Sequence, residues 1–221
     1  MKRIEPAQLD ALLDNAKTIE EDGLGIKVAQ LQSGEFLKLY RRKRLLSSDL
    51  WNLPAQRFAD NANGLLRLGI TAPTILEVLM ISERRLSAVC YQPLPGDTLR
   101  NHLRNSDPAE RSQAVMRFGA FLGELHESGV YFRSLHLGNV LLLPDGSFGL
   151  IDLSDMKLER NALAPWKRRR NLQHILRYDE DIAWLTEQHR EEWVAGYCKS
   201  VSPRSGERFS RDVGKWLATK R

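Results

Sequence analysis

Cysteine is almost missing from this 221-residue chain, with Cys90 and Cys198 the only two. Two cysteines form neither a disulfide framework nor a four-thiolate zinc site, which agrees with a reducing compartment. Long apolar runs are missing as well. No stretch approaches the ~20 consecutive apolar residues of a membrane span, and Met1-Lys2-Arg3-Ile4-Glu5-Pro6 leads into polar sequence without the apolar core of a secretory signal. The expectation is a cytoplasmic protein. Internal repeats and low-complexity segments are absent, and no one sign of charge dominates: 33 Lys+Arg stand against 28 Asp+Glu, a net charge of +5. With 42% hydrophobic and 28% charged residues the composition is that of a globular chain and excludes a disordered one. A chain this long buries roughly 70% of its unfolded surface, so it needs no covalent staples.

The near-neutral total hides an asymmetry. Residues 157–221 carry 15 Lys+Arg and 9 Asp+Glu, a balance of +6, whereas residues 1–156 carry 18 and 19, a balance of −1. The basic excess lies in the last third, which points to one electropositive region and not a uniform coat.

Residues 7–17 place Leu9, Leu12, Leu13 and Ala16 at helical spacing. Residues 18–40 divide into three short strands at Gly23-Leu24-Gly25 and Ser33-Gly34, the last being Glu35–Tyr40. Helical spacing returns over 55–68, with Phe58, Ala62, Leu65, Leu66 and Leu68 apolar, and strands follow at 73–81 and 86–91. Pro93, Pro95 and Gly96 then break the pattern, giving an expected first lobe of residues 1–91 and a second of 92–221. In the second lobe, Pro108 opens a helix over 108–127 with Val115, Phe118, Phe121, Leu122 and Leu125 on one side. Val140–Leu143 and Ser147–Ile151 form a hairpin around Pro144-Asp145-Gly146. Residues 168–218 read as mostly helical, with Trp184, Leu185, Trp193, Tyr197, Trp216 and Leu217 as core. The order is α+β in two lobes, not alternating βαβ.

The hairpin carries the chemistry. In an antiparallel pair the start of the first strand lies beside the end of the second. Asn139 immediately precedes the first strand and Asp152 immediately follows the second. An amide oxygen and a carboxylate are thereby expected at one end, a pair of hard ligands that suits Mg²⁺, which keeps waters and phosphate oxygens in its shell.

Leu125-His126-x-x-Gly129-Val130, then Ser134-x-His136-x-Gly138-Asn139, then Ile151-Asp152, resemble the catalytic loop and metal site of the protein-kinase-like superfamily. Within it the chain is most similar to the lipopolysaccharide core kinases and toluene-tolerance proteins of Gram-negative bacteria. The resemblance spans about residues 20–185. It implies a protein-kinase-like two-lobed fold, with a small β-rich N-lobe holding one main helix and a mostly helical C-lobe. It implies ATP and Mg²⁺ as cofactors, and Asn139 and Asp152 as metal ligands. Lys38, between Leu37 and Leu39 in the third strand, falls where the family's phosphate-binding lysine sits. Gly23-Leu24-Gly25 resembles part of the glycine-rich loop, so Gly23 and Gly25 join the nucleotide-binding set. Ala88–Gly96 resembles the adenine hinge, which adds Tyr91.

Two departures stand out. The family's catalytic base is an Asp five positions before the metal-binding Asn, and here that position is Ser134. A neutral hydroxyl is a poor base, and such a base contributes 10²–10⁴-fold to rate in general. Phosphoryl transfer draws mostly on positioning and charge, so slow transfer survives its loss. Asp155 and His136 are the stand-ins within reach in sequence. The family also pairs the strand lysine with a helix Glu, but no Glu occurs between Glu35 and Glu77; Gln56 and Asp60 are the polar residues available on helix 55–68.

Arg41-Arg42-Lys43-Arg44 and Lys167-Arg168-Arg169-Arg170 are the two basic runs. They are read either as solvated faces or as a surface for an anionic partner, a phosphorylated core sugar or the inner membrane. Without aromatic-basic interleaving no nucleic-acid partner is expected. The leading expectation is an ATP-dependent phosphotransferase acting on a lipopolysaccharide core sugar. A pseudokinase that binds nucleotide or an envelope-synthesis partner is the alternative. A non-enzymatic anion-binding helical domain, with Lys38, Asn139 and Asp152 far apart, is the third.

Overall fold

The computed structural model describes residues 1–41 and 53–220, with side chains as far as residue 216. The basic residues Arg42–Arg44 and the side chain of Leu217 lie outside the described residues. The chain is α+β and divides into two compact units: Met1–Leu94 with Asp152–Ser154, and Pro95–Ile151 with Asp155–Arg221. Among the described residues no helix is long and apolar enough to cross a membrane.

The first unit runs β1 (Lys2–Arg3), α1 (Pro6–Leu13), β2 (Lys17–Asp22), β3 (Gly25–Gln30), β4 (Phe36–Arg41), α2 (Pro54–Arg67), β5 (Thr74–Ile81) and β6 (Leu86–Gln92). Its sheet has the order β1-β5-β6-β4-β3-β2. Only β1, beside β5, is parallel to its neighbour. Alternation along β4 sends Leu37 and Leu39 into a core with Ile4, Leu9, Leu79, Ile81 and Ala88. Lys38 therefore emerges on the opposite face, flanked in register by Val28 and Val89. That is the face of α2: Phe58 packs on Tyr91 with ring centroids 5.2 Å apart, and Tyr91 is the register partner of Phe36, two residues from Lys38. α1 is shorter than its apolar spacing suggests. It stops at Leu13 because Asn15 adopts a left-handed backbone (φ 59°), and Ala16 falls outside it.

The second unit contains β7 (Asp97–Thr98), α3 (Leu99–Asn105), α4 (Pro108–Glu127), β8 (Val130–Phe132), β9 (Val140–Leu142), β10 (Phe148–Leu150) and β11 (Met156–Leu158). Then come α5 (Pro165–Ile175), α6 (Asp179–Ile182), a π-helical turn (Ala183–Gln188), α7 (Arg190–Lys199) and α8 (Pro203–Lys220). Asp107 caps α4 by accepting hydrogen bonds from the Ala109 and Glu110 amides at 2.8 and 2.9 Å. Trp184, Leu185, Trp193 and Tyr197 are buried as expected, whereas Trp216 is only half-buried.

Glycines let α4 and α7 pack backbone to backbone. A Cβ on Gly196 would sit 1.9 Å from the Met116 carbonyl oxygen, and one on Gly119 would sit 2.3 Å from that of Trp193. Gly196→Ala is expected to destabilise the unit by about 1–3 kcal/mol, since the helices must part. Gly214→Ala on α8 would meet only the end of the Arg190 side chain at 3.2 Å. It should be neutral or stabilising by up to about 1 kcal/mol through helix propensity. Urea midpoints of the two variants check the contrast.

The core also encloses a titratable group. His126 is buried, with Nδ1 2.8 Å from the Tyr197 hydroxyl oxygen. Arg168 donates to that oxygen at 3.1 Å and can only donate. The hydroxyl hydrogen is therefore directed to Nδ1, and the imidazole carries its own proton on Nε2. Burial first, and the Arg168 charge second, push the His126 pKa down to about 3 from 6.5. Between those values the unfolded chain binds more protons than the folded one, so stability rises with pH and is lost as pH falls below about 6.5. From pH 6.5 to pH 5 the expected loss is about 2 kcal/mol. Urea titrations at the two pH values should show this dependence, flattened in His126→Gln.

Candidate functional site

In the first unit, Lys38 Nζ donates to Asp152 Oδ1 at 2.7 Å, joining residues 114 positions apart. Lys38 is 12% exposed and the Asp152 side chain 44% exposed. This closeness is the opposite of the separation expected of an anion-binding helical domain. Asp152 has φ 57°, a left-handed conformation that Asp tolerates better than most residues. The segment after it is fixed to α2: Asn61 Nδ2 donates to the Leu153 carbonyl at 2.7 Å and Arg57 Nε to that of Ser154 at 3.2 Å. Gln56 and Asp60 bond to each other at 2.8 Å. The carboxylate that meets Lys38 thus comes from the 152–154 segment and not from helix α2.

Tyr40, two residues along the same face from Lys38, has its phenol pushed above the ordinary range by burial and then by the Asp152 charge. Tyr91 is buried between Phe36 and Phe58, so its side chain is a packing element. Gly23 and Leu24 form the two-residue turn joining β2 to β3, and Gly25 follows with φ 108°. The Leu24 amide donates to Asp22 Oδ1 at 2.9 Å.

In the second unit, β9 and β10 pair in the register Val140↔Leu150. The Ile151 amide extends the ladder by donating to the Asn139 carbonyl at 3.1 Å. Asp152 is the next residue in the chain. The loop before the hairpin is held by its own polar groups. Asn139 Nδ2 donates to the Ser134 carbonyl at 2.9 Å, which leaves the Asn139 amide oxygen as the acceptor atom. His136 Nδ1 accepts from the Gly138 amide at 3.1 Å. With Nδ1 as the acceptor, a neutral His136 carries its proton on Nε2, where it is a donor and not a base. Ser134 Oγ is buried without a hydrogen-bond partner among the described residues. Asp155 is ion-paired with the Arg133 guanidinium, and its carbonyl accepts from the Arg133 amide at 3.2 Å.

An anchor beneath this loop escaped the sequence reading. Asp181, fully buried, accepts from Arg100 Nε and Nη2, both at 2.8 Å, and from the Leu137 amide at 3.2 Å. The Arg100 guanidinium lies 4.3 Å from the Tyr178 ring centroid. Asn171, also buried, donates to the Phe132 carbonyl. The only sequence signal for Asp181 was an acidic run, Asp179-Glu180-Asp181, which reads as an exposed helix start.

The basic run on α5 is divided. Lys167 is paired with Glu159. Arg168 bonds Glu127 at 3.0 Å and the Leu163 carbonyl at 2.8 Å. Arg169 and Arg170 are exposed. Arg41 is half-buried, bonding the Ile26 carbonyl at 3.1 Å.

No cluster of three or more His, Cys, Asp or Glu residues able to hold a metal occurs among the described residues. A lone carboxylate such as Asp152 fits Mg²⁺, which takes few protein ligands. No protein-family model matches the chain, and no curated protein matches it.

Proposed function

We propose that the chain is an ATP-dependent phosphotransferase of the protein-kinase-like superfamily, acting on a hydroxyl of a lipopolysaccharide core sugar. The observation that carries the nucleotide part is the Lys38–Asp152 pair at 2.7 Å, with the carboxylate supplied by the residue that ends the hairpin. Lys38 neutralises phosphate oxygens, and Asp152 offers a hard oxygen to Mg²⁺, whose role when bound is to offset charge on the phosphates. The resemblance of the 125–155 stretch adds Asn139 as the second oxygen ligand and supplies the acceptor class.

In the reaction the acceptor hydroxyl oxygen bonds to the γ-phosphorus, the bond from that phosphorus to the β–γ bridging oxygen breaks, and ADP leaves. The hydroxyl proton passes to solvent or to the transferred phosphate. Ser134, His136 and Asp155 are not arranged to take it: the first is a neutral hydroxyl, the second has its acceptor nitrogen engaged, and the third is held by Arg133. A late proton transfer suits the loose transition state of phosphoryl transfer, at a low rate. The same features favour a second reading, a pseudokinase that binds nucleotide without transfer.

Incubation of the protein with γ-labelled ATP, Mg²⁺ and a lipopolysaccharide core fraction separates the two. Slow label transfer that disappears in Asn139→Ala is the expected result. Nucleotide binding with no transfer to any core fraction selects the pseudokinase. Absence of nucleotide binding removes both.

A further inference from the structure

Helix α5 and the segment after it carry a second cluster of charge. Arg170 and His174 are four residues apart and share a face of α5; Arg177 lies two residues past its end. Arg170 and Arg177 are exposed, and neither has an ion-pair partner among the described residues. Lys167 and Arg168 of the same run, by contrast, are engaged by Glu159 and Glu127. His174 is half-buried, and its imidazole is held below the ordinary range by burial and then by Arg170. Arg177 and Arg133 act in the same direction, and Asp155 alone opposes them. Arg133 enters from the loop before Ser134 and already occupies Asp155 through its guanidinium.

Asn171, next to Arg170, donates to the carbonyl of Phe132, next to Arg133, so the α5 cluster adjoins the Arg133–Asp155 pair. Like charges so placed repel, and an added dianion would relieve them. Guanidinium forks match the paired oxygens of a phosphate; those of Arg170 and Arg177 have no carboxylate partner among the described residues, and Arg177 lies 5.9 Å from the Tyr178 ring centroid. We propose that Arg133, Arg170, His174 and Arg177 form a binding site for a dianionic phosphate monoester. The site is independent of the nucleotide reading, since none of its four residues is assigned to ATP or Mg²⁺. The monoester is carried either by a soluble sugar phosphate or by a lipid headgroup.

The test uses the full chain and two probes. Glucose 6-phosphate is titrated against the His174 ring resonances, with glucose as the control. Cosedimentation is measured with phosphatidylcholine vesicles containing phosphatidic acid, against vesicles of equal surface charge containing phosphatidylserine. Binding of at least one monoester probe is expected, and the tighter of the two identifies the source. Arg170→Gln and Arg177→Gln should each weaken it about tenfold or more, with thermal unfolding unchanged because both side chains are exposed. Lys38→Met should leave it intact, which separates this site from the nucleotide one. Failure of both probes to bind, unchanged affinity in the Arg170→Gln/Arg177→Gln variant, loss of binding in Lys38→Met, or equal binding to phosphatidylserine vesicles would overturn the proposal.

Discussion

Replacing Asp152 with Asn is expected to lower Mg·ATP-dependent transfer by about 100-fold or more, the usual scale for removing one charge-stabilising group from a reacting centre. Asn is the informative replacement. It tolerates φ 57° nearly as well as Asp, whereas Ala would add about 1–2 kcal/mol of left-handed strain and confuse the result. The fold should hardly notice the change: the Asp152 side chain is 44% exposed, so the ion pair with Lys38 is worth about 1 kcal/mol at most. The stability that is lost reflects Lys38, 12% exposed and left without its carboxylate. Lys38→Met in the Asp152→Asn background should therefore restore stability and still show no transfer. Paired urea unfolding and label-transfer assays on the two variants check both halves.

Arg100→Ala is expected to cost about 3–5 kcal/mol of stability, since it removes one partner of a buried ion pair. Asp181 is 0% exposed and would retain only the Leu137 amide among the bonds described above. Arg100→Lys should recover a small part of the loss, because an ammonium cannot reproduce the two parallel 2.8 Å bonds. Removing the charge from both sides with Arg100→Met and Asp181→Leu should bring much of the stability back. It would not restore the tie from Asp181 to Leu137, so the Leu137–Asn139 turn should exchange its amide hydrogens faster. Denaturation followed by the fluorescence of the buried Trp184 and Trp193, with hydrogen exchange at Leu137–Asn139, measures the two effects separately.

What could be read in advance was local. The 108–127 helix has Pro at its first position and a clean apolar stripe, and the structure gives α4 those same ends. Lys38 could be placed on a face of its own because two leucines flank it in a strand. What stayed hidden depends on partners far along the chain. α3 holds seven residues, Leu-Arg-Asn-His-Leu-Arg-Asn, too short and too polar to announce itself, yet it carries Arg100. β8 and β11 are three residues each and pair across a gap of more than twenty, so neither has a strand signal of its own.

The same reason governs the candidate site. Asp155 looked like a substitute base because its pairing with Arg133, 22 residues away, is not encoded in any spacing. The Lys167–Arg170 run looked like one surface because the carboxylates that engage its first half, Glu159 and Glu127, come from other elements. The missing helix Glu, in contrast, was visible as an absence, and the structure supplies the lysine's partner from Asp152 instead.

The proposed function stands on Lys38 and Asp152 as a phosphate and metal site. Isothermal titration of Mg·ATP into the wild-type chain, Lys38→Met and Asp152→Asn tests it most directly. Saturable binding by the wild type is expected, weakened about tenfold or more in each variant. No measurable binding by the wild type, or equal affinity in all three, would contradict it.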